Sequence, residues 1–406
     1  MLSIEQALDC NPKTAGRLRV AILADIPRDA TAGRANGRGG GHNFTWLPQL
    51  ADAFARQSDL DAWWISYEPD LERAEVFRDA GQHFVKLPLS SISLGLALGL
   101  APYRVELARL LRRLAPDVVH AWGTERVYPA VLPASPAPSV LSMQGILTEY
   151  ARIGCLPRSW KWHVLAWHEP KWLRAADIVT CESIWGLDRI RAYVAPERTR
   201  RVDYGVHPSF YDVEWQPDPA KPVALFCGSL DRRKGVDLLL AALRRLPGRN
   251  WECRIAGEGP LRPLIERDAP ANVRLLGTLA WDRLKAEYAR AWCVVLPTLA
   301  DTSPNVVKEG RVIGLPVVTT PYGGQRDYIH DGENGLIVDP HDSAALARAL
   351  DGLMSSYAKA RRMGAAHHQR DRNALRPERT AREFLDIYRH LAEENAGVTG
   401  YARHPC

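Results

Sequence analysis

The sequence lacks a stretch long enough to cross a membrane. A spanning helix needs about 20 mostly apolar residues, and the longest apolar candidate among the 406 residues, 89–102, is shorter. The first 13 residues contain acids and no apolar core, so we expect no secretory signal. We therefore predict a cytoplasmic protein and leave open a peripheral position at the inner face of the membrane.

Cysteine pairs and cofactor motifs are also missing. The seven cysteines include no CxxC pair, which indicates a reducing compartment and argues against a zinc site. The loop after the first strand does not read GxGxxG, and no GxxxxGK followed by Ser or Thr occurs. These absences disfavour a nicotinamide oxidoreductase and a P-loop enzyme. No Ser–His–Asp spacing or metal-ligand cluster is apparent, so we expect neither a cofactor nor a metal.

Positive charge is in moderate excess. A net charge of +6 suits an anionic ligand or an anionic membrane surface. No DNA- or RNA-binding motif accompanies the charge, so we expect no nucleic-acid partner. The apolar run 92–100 precedes four arginines that suit anionic lipid, namely Arg104, Arg109, Arg112 and Arg113. Core packing is the alternative for this run and for the tryptophan-rich segment 160–185.

Strand and helix patterns alternate along the whole chain. The apolar run Leu18–Ala24 is typical of a buried parallel strand, and a helix is predicted near 71–79. A polar, proline-rich linker at 214–221 separates two such series. The fold class predicted is α/β, with two Rossmann-like, doubly wound parallel-sheet domains, 1–214 and 215–382, facing a cleft. The remaining predicted strands are 60–67, 83–87, 118–121, 139–143, 178–181, 200–202, 223–227, 253–256, 273–276, 293–296 and 315–319.

The segment 297–324 offers groups of two kinds. Ser303 is a suitable N-cap and Pro304 a suitable first helical residue, so the amides near 303–306 would favour an anion. Asp301 and Glu309 flank the same helix start and would accept hydrogen bonds from hydroxyls. A nucleotide-sugar has both kinds of group. The alternative is an ordinary surface helix with solvated carboxylates.

Other candidate residues follow the predicted strands. Glycines at strand ends let backbone amides approach a phosphate, and Lys234 stands in the loop GSLDRRKGVD, where it would neutralise a diphosphate. A solvated basic turn is the more common meaning of such a loop taken alone. His120 follows a buried strand and is a core or cleft residue, the core being the more common place for a lone histidine.

An ordered series of motifs resembles the retaining glycosyltransferases of the GT-B fold, family 4 (glycosyl transferases group 1). The resemblance covers roughly residues 18 to 345. In chain order the motifs are GGHNFTWLPQLADAF, PDVVHAWG, DYGVHPSFY, GSLDRRKGVD, RIAGEGPLRPLI, NVRLLGTL, the pair Asp301 and Glu309, and GLPVVTTPYGGQRDYIHDGENGLIVDP.

The resemblance implies a role for each candidate. Lys234 would bind the donor diphosphate, Glu309 the ribose and Asp301 the transferred sugar, and these three are the catalytic candidates. The acceptor or sugar side would hold His120 and Gln144. The remaining donor-binding candidates are Gly40, Gly41, Gly228, Ser229, Gly257, Gly277, Thr278, Leu279, Ser303, Asn305 and Val306.

The resemblance also implies domain roles. The N-terminal domain would bind the acceptor and the C-terminal domain the donor, and a C-terminal helix at about 383–396 would pack back on the first domain. The donor expected is a UDP- or GDP-sugar. Three positions depart from the family pattern: Asp301 stands for Glu, Ser229 for Arg, and Gln144 for His, and Gln cannot carry a proton at neutral pH.

The function expected is metal-independent, retaining transfer of a sugar from a nucleotide-diphosphate sugar. The acceptor would be a glycan, a lipid-linked precursor or a small molecule, in polysaccharide or glycoconjugate biosynthesis. One alternative is a non-catalytic or degenerate sugar-nucleotide or glycan-binding protein. Another is a GT-B sugar-nucleotide epimerase, against which Gln144 argues because that chemistry needs a histidine and carboxylates in the cleft.

Overall fold

The computed structural model describes residues 4–26, 46–89, 91–246 and 250–401. The predicted donor-binding residues Gly40 and Gly41 therefore lie outside the described residues. No helix within the described ranges is long and apolar enough to cross a membrane.

The strands form two sheets, one in each half of the chain. The first has eight strands in the order β3-β4-β2-β1-β5-β6-β7-β8, and the second has six in the order β11-β10-β9-β12-β13-β14. Continuous apolar runs such as Val223–Cys227 form the central strands because helices cover both faces of a doubly wound sheet. The strands are β1 Leu18–Leu23, β2 Leu60–Glu68, β3 Glu75–Asp79, β4 Gln82–Pro88, β5 Val118–Trp122, β6 Ser139–Ser142, β7 Ile178–Cys181, β8 Thr199–Arg201, β9 Val223–Cys227, β10 Glu252–Ala256, β11 Val273–Gly277, β12 Cys293–Leu296, β13 Val317–Thr319 and β14 Gly335–Ile337.

Helices connect the strands and cover the sheets. The α-helices are α1 Ile4–Asp9, α2 Trp46–Phe54, α3 Ile92–Ala97, α4 Ala101–Leu114, α5 Leu147–Arg152, α6 Trp160–Ala175, α7 Ile184–Ile190, α8 Val236–Leu243, α9 Arg262–Asp268, α10 Trp281–Arg290, α11 Asn305–Ile313, α12 Ser343–Met354, α13 Tyr357–Ala365, α14 His368–Ala374 and α15 Pro377–Tyr401.

The predicted helix near 71–79 is wrong. This segment contains strand β3, which pairs antiparallel with β4, so the first sheet is mixed and not wholly parallel. The two residues between the strands, Ala80 and Gly81, both have positive φ, 46° and 80°. Two such residues match the twist of a tight hairpin, and the reversal keeps Phe77 stacked on Phe84.

The last helix lies against the first sheet. Phe384 and Tyr388 of α15 are fully buried in the core on one face of that sheet, together with Val20 and Trp122. Helices α4 and α6 contribute to a second core on the other face. The six-stranded sheet has a core of its own. The chain therefore passes from the second sheet back to the first, so that β1 and α15 belong to the same half.

Candidate active site between the two domains

The carboxyl ends of strands from both sheets meet at one place. Gln144 follows β6 of the first sheet, and its backbone carbonyl accepts a hydrogen bond from the Thr302 hydroxyl, which follows β12 of the second. Close by, the Arg233 guanidinium lies 5.1 Å from the centre of the Tyr150 ring, again across the two halves. Ligands of doubly wound proteins bind at such strand ends, so this junction is the candidate site.

Lys234 and Asp301 form an ion pair at the junction. The Lys234 ammonium donates to Asp301 Oδ2, and the two side chains are only 17% and 10% exposed. Burial would raise the pKa of Asp301, but the Lys234 and Arg233 cations outweigh it and hold that pKa below its usual value. Gly235, at φ +71°, lets the loop pass so close to the Pro297 carbonyl that a Cβ would lie 1.9 Å from that oxygen.

Arg233 is a functional candidate that was not among the sequence-predicted site residues. Its guanidinium lies 3.8 Å from Asp301 and donates to the Ala300 carbonyl at 3.3 Å. Arg232 points elsewhere, since it is 79% exposed and faces Asp237 at 3.7 Å. Ser229, which stands for the family arginine, is exposed. The second cation of the site therefore comes from Arg233, which directly precedes Lys234 in the GSLDRRKGVD loop.

Glu309 lies within the same junction, on a helix that is buried on all sides. Every residue of α11 from Val306 to Ile313 is buried, and the Glu309 carboxylate accepts a 2.7 Å hydrogen bond from the Tyr288 hydroxyl. Both Glu309 and Lys234 act electrostatically on Cys227 at the end of β9. Tyr288 thus orients the carboxylate beside the strand end, as a hydroxyl-binding group requires.

The predicted cap of α11 is wrong in its details. The helix begins at Asn305, with Pro304 and not Ser303 as the residue before it, and no side chain caps it. The Ser303 hydroxyl instead lies 3.0 Å from the Tyr328 hydroxyl. Asn305 and Val306 remain in the first turn of the helix, where an anion would be favoured.

The glycines at the strand ends hold the loops together. The amide of Gly228 donates to the Ala256 carbonyl at 3.0 Å, and that of Gly257 to the Gly277 carbonyl at 2.8 Å. A Cβ on Gly257 would lie 1.9 Å from the Gly228 oxygen, so these residues permit close packing and their amides are already engaged. Gly277 ends β11 and is followed by the exposed Thr278 and half-buried Leu279, at the edge where the resemblance implies a base.

His120 does not belong to the junction, and its assignment to the acceptor side is wrong. The side chain is fully buried, with its ring nitrogens 2.6 Å from the Tyr388 hydroxyl and 2.6 Å from the Ser142 hydroxyl. Burial lowers the pKa of His120 well below its usual value. His120 is a core residue beneath α15. Its side chain faces α15 because consecutive residues of strand β5 face opposite sides of the sheet.

A buried ion pair also ties the two halves together. The Lys308 ammonium donates to Glu182 Oε2 at 2.6 Å and to the Tyr204 carbonyl at 3.1 Å. Burial raises the pKa of Glu182 to about 7, although Lys308 opposes the shift. The sequence motifs identified Glu309 but not its neighbour Lys308. The burial of Lys308 could have been predicted, because charged residues inside the apolar run VVKEGRVI indicate a helix without a solvent face.

Comparison with known proteins agrees with this architecture. Residues 221–356 match the family model described as glycosyl transferases group 1. Sucrose-phosphate synthase from Thermosynechococcus elongatus has the same fold, with a TM-score of 0.73 at 19% identity, over 92% of this chain and 99% of that one. The chain therefore has the GT-B fold, and its residues 221–356 resemble glycosyl transferases group 1. The fold and the resemblance to this group that the motifs predicted are confirmed.

Two further proteins illustrate the range of similarity. The structure of Anabaena HepE in complex with UDP and glucose has a TM-score of 0.67 at 16% identity, over 92% of this chain and 100% of that one. An alpha-D-kanosaminyltransferase from Streptomyces kanamyceticus is 26% identical over 210 residues, which are 47% of this chain and 54% of that protein. The chain thus spans about half the length of the curated relatives it matches.

The Lys308–Glu182 pair predicts a pH dependence of stability. An unperturbed glutamate has a pKa of 4.5, whereas that of Glu182 is about 7, so between these values the folded chain keeps a proton that the unfolded chain releases. Folding stability should fall as the pH rises through this window, by up to about 3 kcal/mol. Glu182→Gln should flatten that part of the profile, measured by urea unfolding at about pH 5 and about pH 7.5.

The matched control is Glu197→Gln, which changes an exposed carboxylate and should leave the pH profile unchanged. Glu182→Gln also leaves Lys308 without its carboxylate, so its overall stability should be lower, but the slope with pH is the diagnostic quantity. Equal slopes in Glu182→Gln and the unmodified protein would contradict the assignment.

Proposed function

We propose that this protein transfers a sugar from a nucleotide-diphosphate sugar to a hydroxylated acceptor. The observation that carries the proposal is the pair of cations, Lys234 and Arg233, held by Asp301 at the junction of the two halves. A diphosphate leaving group develops negative charge as the glycosidic bond breaks, and fixed cations in a partly buried site stabilise that charge.

Lys234 and Asp301 would each contact a different part of the bound donor. A diphosphate brings at least two negative charges to Lys234 and Arg233, so the ammonium can exchange Asp301 for phosphate oxygens. Arg233 then remains beside Asp301 and continues to lower the pKa of its carboxyl group. The Asp301 carboxylate accepts hydrogen bonds from hydroxyls of the transferred sugar. Its side chain is one methylene shorter than the family glutamate, and that length suits the ion pair with Lys234.

Glu309 and the ends of the second sheet would hold the nucleoside. The Tyr288 hydroxyl fixes one oxygen of the Glu309 carboxylate at 2.7 Å, which leaves the carboxylate in a single orientation for ribose hydroxyls. Gly277, Thr278 and Leu279 would border the base. We favour a UDP-sugar, with a GDP-sugar second, because a UDP complex is known for the similar HepE fold.

The finer features of the reaction follow from the family resemblance. We infer that transfer retains the anomeric configuration and needs no metal, with the departing diphosphate accepting the proton of the acceptor hydroxyl. Lys234 and Arg233 supply the positive charge on the leaving side. The acceptor would enter from the N-terminal half, whose Gln144 lies at the junction beside Thr302.

The N-terminal half also carries a surface suited to a membrane with anionic lipid. Three apolar side chains are more than half exposed, namely Leu94 of α3 at 60%, Leu98 directly after α3 at 54%, and Trp167 of α6 at 77%. Beside them a groove of about 860 Å³ is lined by Leu98 and Val105 and bordered by Arg109 and Arg113. Apolar side chains next to arginines match the acyl chains and phosphates of a bilayer surface. A lipid-linked acceptor would then be presented to this half of the protein.

Lys234→Ala should abolish most of the transfer. Removing a cation that stabilises the leaving diphosphate costs about 100- to 1000-fold in rate at comparable sites. The assay is release of nucleoside diphosphate from radiolabelled UDP- or GDP-sugars in the presence of an acceptor panel. Lys221→Ala is the matched control, because that side chain is 81% exposed in the same domain. Equal rates for Lys234→Ala and the control would refute the site.

The product of the same assay tests the stereochemistry. Retention predicts that the anomeric proton of the new linkage has the coupling constant of the donor configuration in ¹H NMR. Adding EDTA should leave the rate unchanged. An inverted product or a rate that EDTA abolishes would contradict the corresponding part of the proposal.

Leu98→Glu should weaken membrane binding. Burying one leucine in a bilayer contributes roughly 2 kcal/mol, so the partition coefficient onto phosphatidylglycerol vesicles should fall at least tenfold in co-sedimentation. Ile184→Glu is the matched control, since Ile184 is also 54% exposed but lies on α7. Binding that is the same for phosphatidylglycerol and phosphatidylcholine vesicles would rule out the anionic-membrane surface.

A further inference from the structure

A buried carboxylate on the N-terminal side of the junction has no role in the account so far. Glu125 stands in the loop after β5, and Gln144 and Gly145 stand in the loop after β6. The strands β5 and β6 are parallel neighbours, so their carboxyl ends bring these two loops together. Gly123, at φ +73°, turns the first loop so that Glu125 faces the second.

One side-chain oxygen of Glu125 and one of Gln144 both lie close to Gly123. A Cβ built on Gly123 would lie 2.9 Å from Glu125 Oε2 and 3.0 Å from Gln144 Oε1. Glu125 Oε2 is buried and has no hydrogen-bond partner in the described part of the chain. The carboxylate does accept the backbone N–H of Gly145, which leaves Oε2 as the unsatisfied atom. Buried polar atoms without partners are uncommon, and this oxygen is available to accept a hydrogen bond from a ligand.

The neighbouring Glu169 has a structural role, because its carboxylate is hydrogen-bonded to the surrounding loops. Its oxygens accept from the Thr124 hydroxyl at 2.5 Å, from the Leu147 amide at 2.9 Å, and from the Thr148 amide at 2.8 Å. Glu169 therefore holds the loops after β5 and β6 in place. Glu125 is therefore not needed to hold these loops in place. Burial and the nearby Glu169 carboxylate raise the pKa of Glu125.

Glu125 is also close to the groups assigned to the donor. Its charge acts on both Arg233 and Tyr150, and Arg233 in turn lies 3.8 Å from Asp301. Gln144 is joined to Thr302, the residue after Asp301, by the hydrogen bond between the two halves. Glu125 thus belongs to the first half of the junction, and Asp301 belongs to the second.

We propose that Glu125, together with Gln144, forms a subsite that binds a hydroxyl of the acceptor. The inference rests on the proposed transferase function and adds a residue that the motifs did not name. The hydroxyl donates a hydrogen bond to Glu125 Oε2, and Gln144 contributes a second polar contact through its side-chain amide. A carboxylate at this point repels an anion, so the part of the acceptor bound here is an uncharged polyol or sugar and not a phosphate.

Glu125→Gln is the decisive variant, because it keeps the shape and removes the negative charge. A hydrogen bond from a hydroxyl to a charged acceptor is worth about ten- to a hundredfold in binding. We therefore expect kcat/KM for the acceptor to fall at least tenfold, mainly through a higher acceptor KM, while the dissociation constant for UDP or GDP changes less than twofold. The acceptor probes are free hexoses, N-acetylhexosamines and myo-inositol, assayed with UDP- and GDP-sugars.

Two controls separate this role from a structural one. Glu125→Asp keeps the charge and should recover part of the acceptor affinity, whereas a purely structural residue would tolerate Gln better than the shorter Asp. Glu72→Gln changes an exposed glutamate of the same domain and should leave every constant unchanged. The unchanged nucleotide affinity of Glu125→Gln also reports that the variant is folded.

The possible results distinguish failure of the acceptor subsite from failure of the proposed transferase function. If Glu125→Gln binds nucleotide and transfers sugar as well as the unmodified protein, the subsite is refuted and the transferase function stands. If Glu125→Gln loses nucleotide affinity and acceptor affinity equally, the residue is structural and the subsite is again refuted. If the unmodified protein binds neither UDP nor GDP and releases neither from a sugar nucleotide, the proposed function fails and the subsite fails with it.

Discussion

The ion pair between Lys234 and Asp301 is the interaction on which the candidate site depends. Both side chains are largely buried, and removing one partner of a buried pair typically costs about 3–5 kcal/mol because the other charge is left uncompensated. The loop that carries Lys234 and the segment that carries Asp301 are therefore held together by charge as well as by backbone packing. The diphosphate of the proposed donor would have the same sign of charge as Asp301 and could replace it as the partner of Lys234.

Helix α11 connects that pair to the rest of the molecule. It has no solvent face, and its three charged residues point to three different partners. Lys308 pairs with Glu182 of the first half, Glu309 contacts Tyr288 of the second, and Arg311 pairs with Asp371 of α14. One short helix thus joins the N-terminal half, the side of the cleft proposed to bind the nucleoside, and the C-terminal segment that returns to the first sheet. A shift of the two halves would break the Lys308–Glu182 contact, whereas the other two contacts lie within the second half.

The sequence predicted most strands, the alternating α/β pattern and the motif order because apolar periodicity and glycine-rich turns are local signals. It missed β3, whose Ala80–Gly81 turn lacks the usual asparagine or aspartate. Candidate site residues could be named where motifs are contiguous, but residues that distant loops bring to the junction could not. Tyr288 and Glu125 gave no local signal, and His120 was misplaced because its burial under α15 depends on a helix more than 250 residues away.

The most direct test of the account is nucleotide-linked thermal stabilisation of the intact chain. A ligand that binds only the folded state stabilises it by about 2.7 kcal/mol at a hundred times its dissociation constant. We predict that UDP or GDP raises the unfolding temperature in a concentration-dependent way, and that Lys234→Ala loses this response while Lys221→Ala keeps it. An unfolding temperature that no nucleoside diphosphate raises, or an equal rise in Lys234→Ala, would contradict the assignment of the donor site.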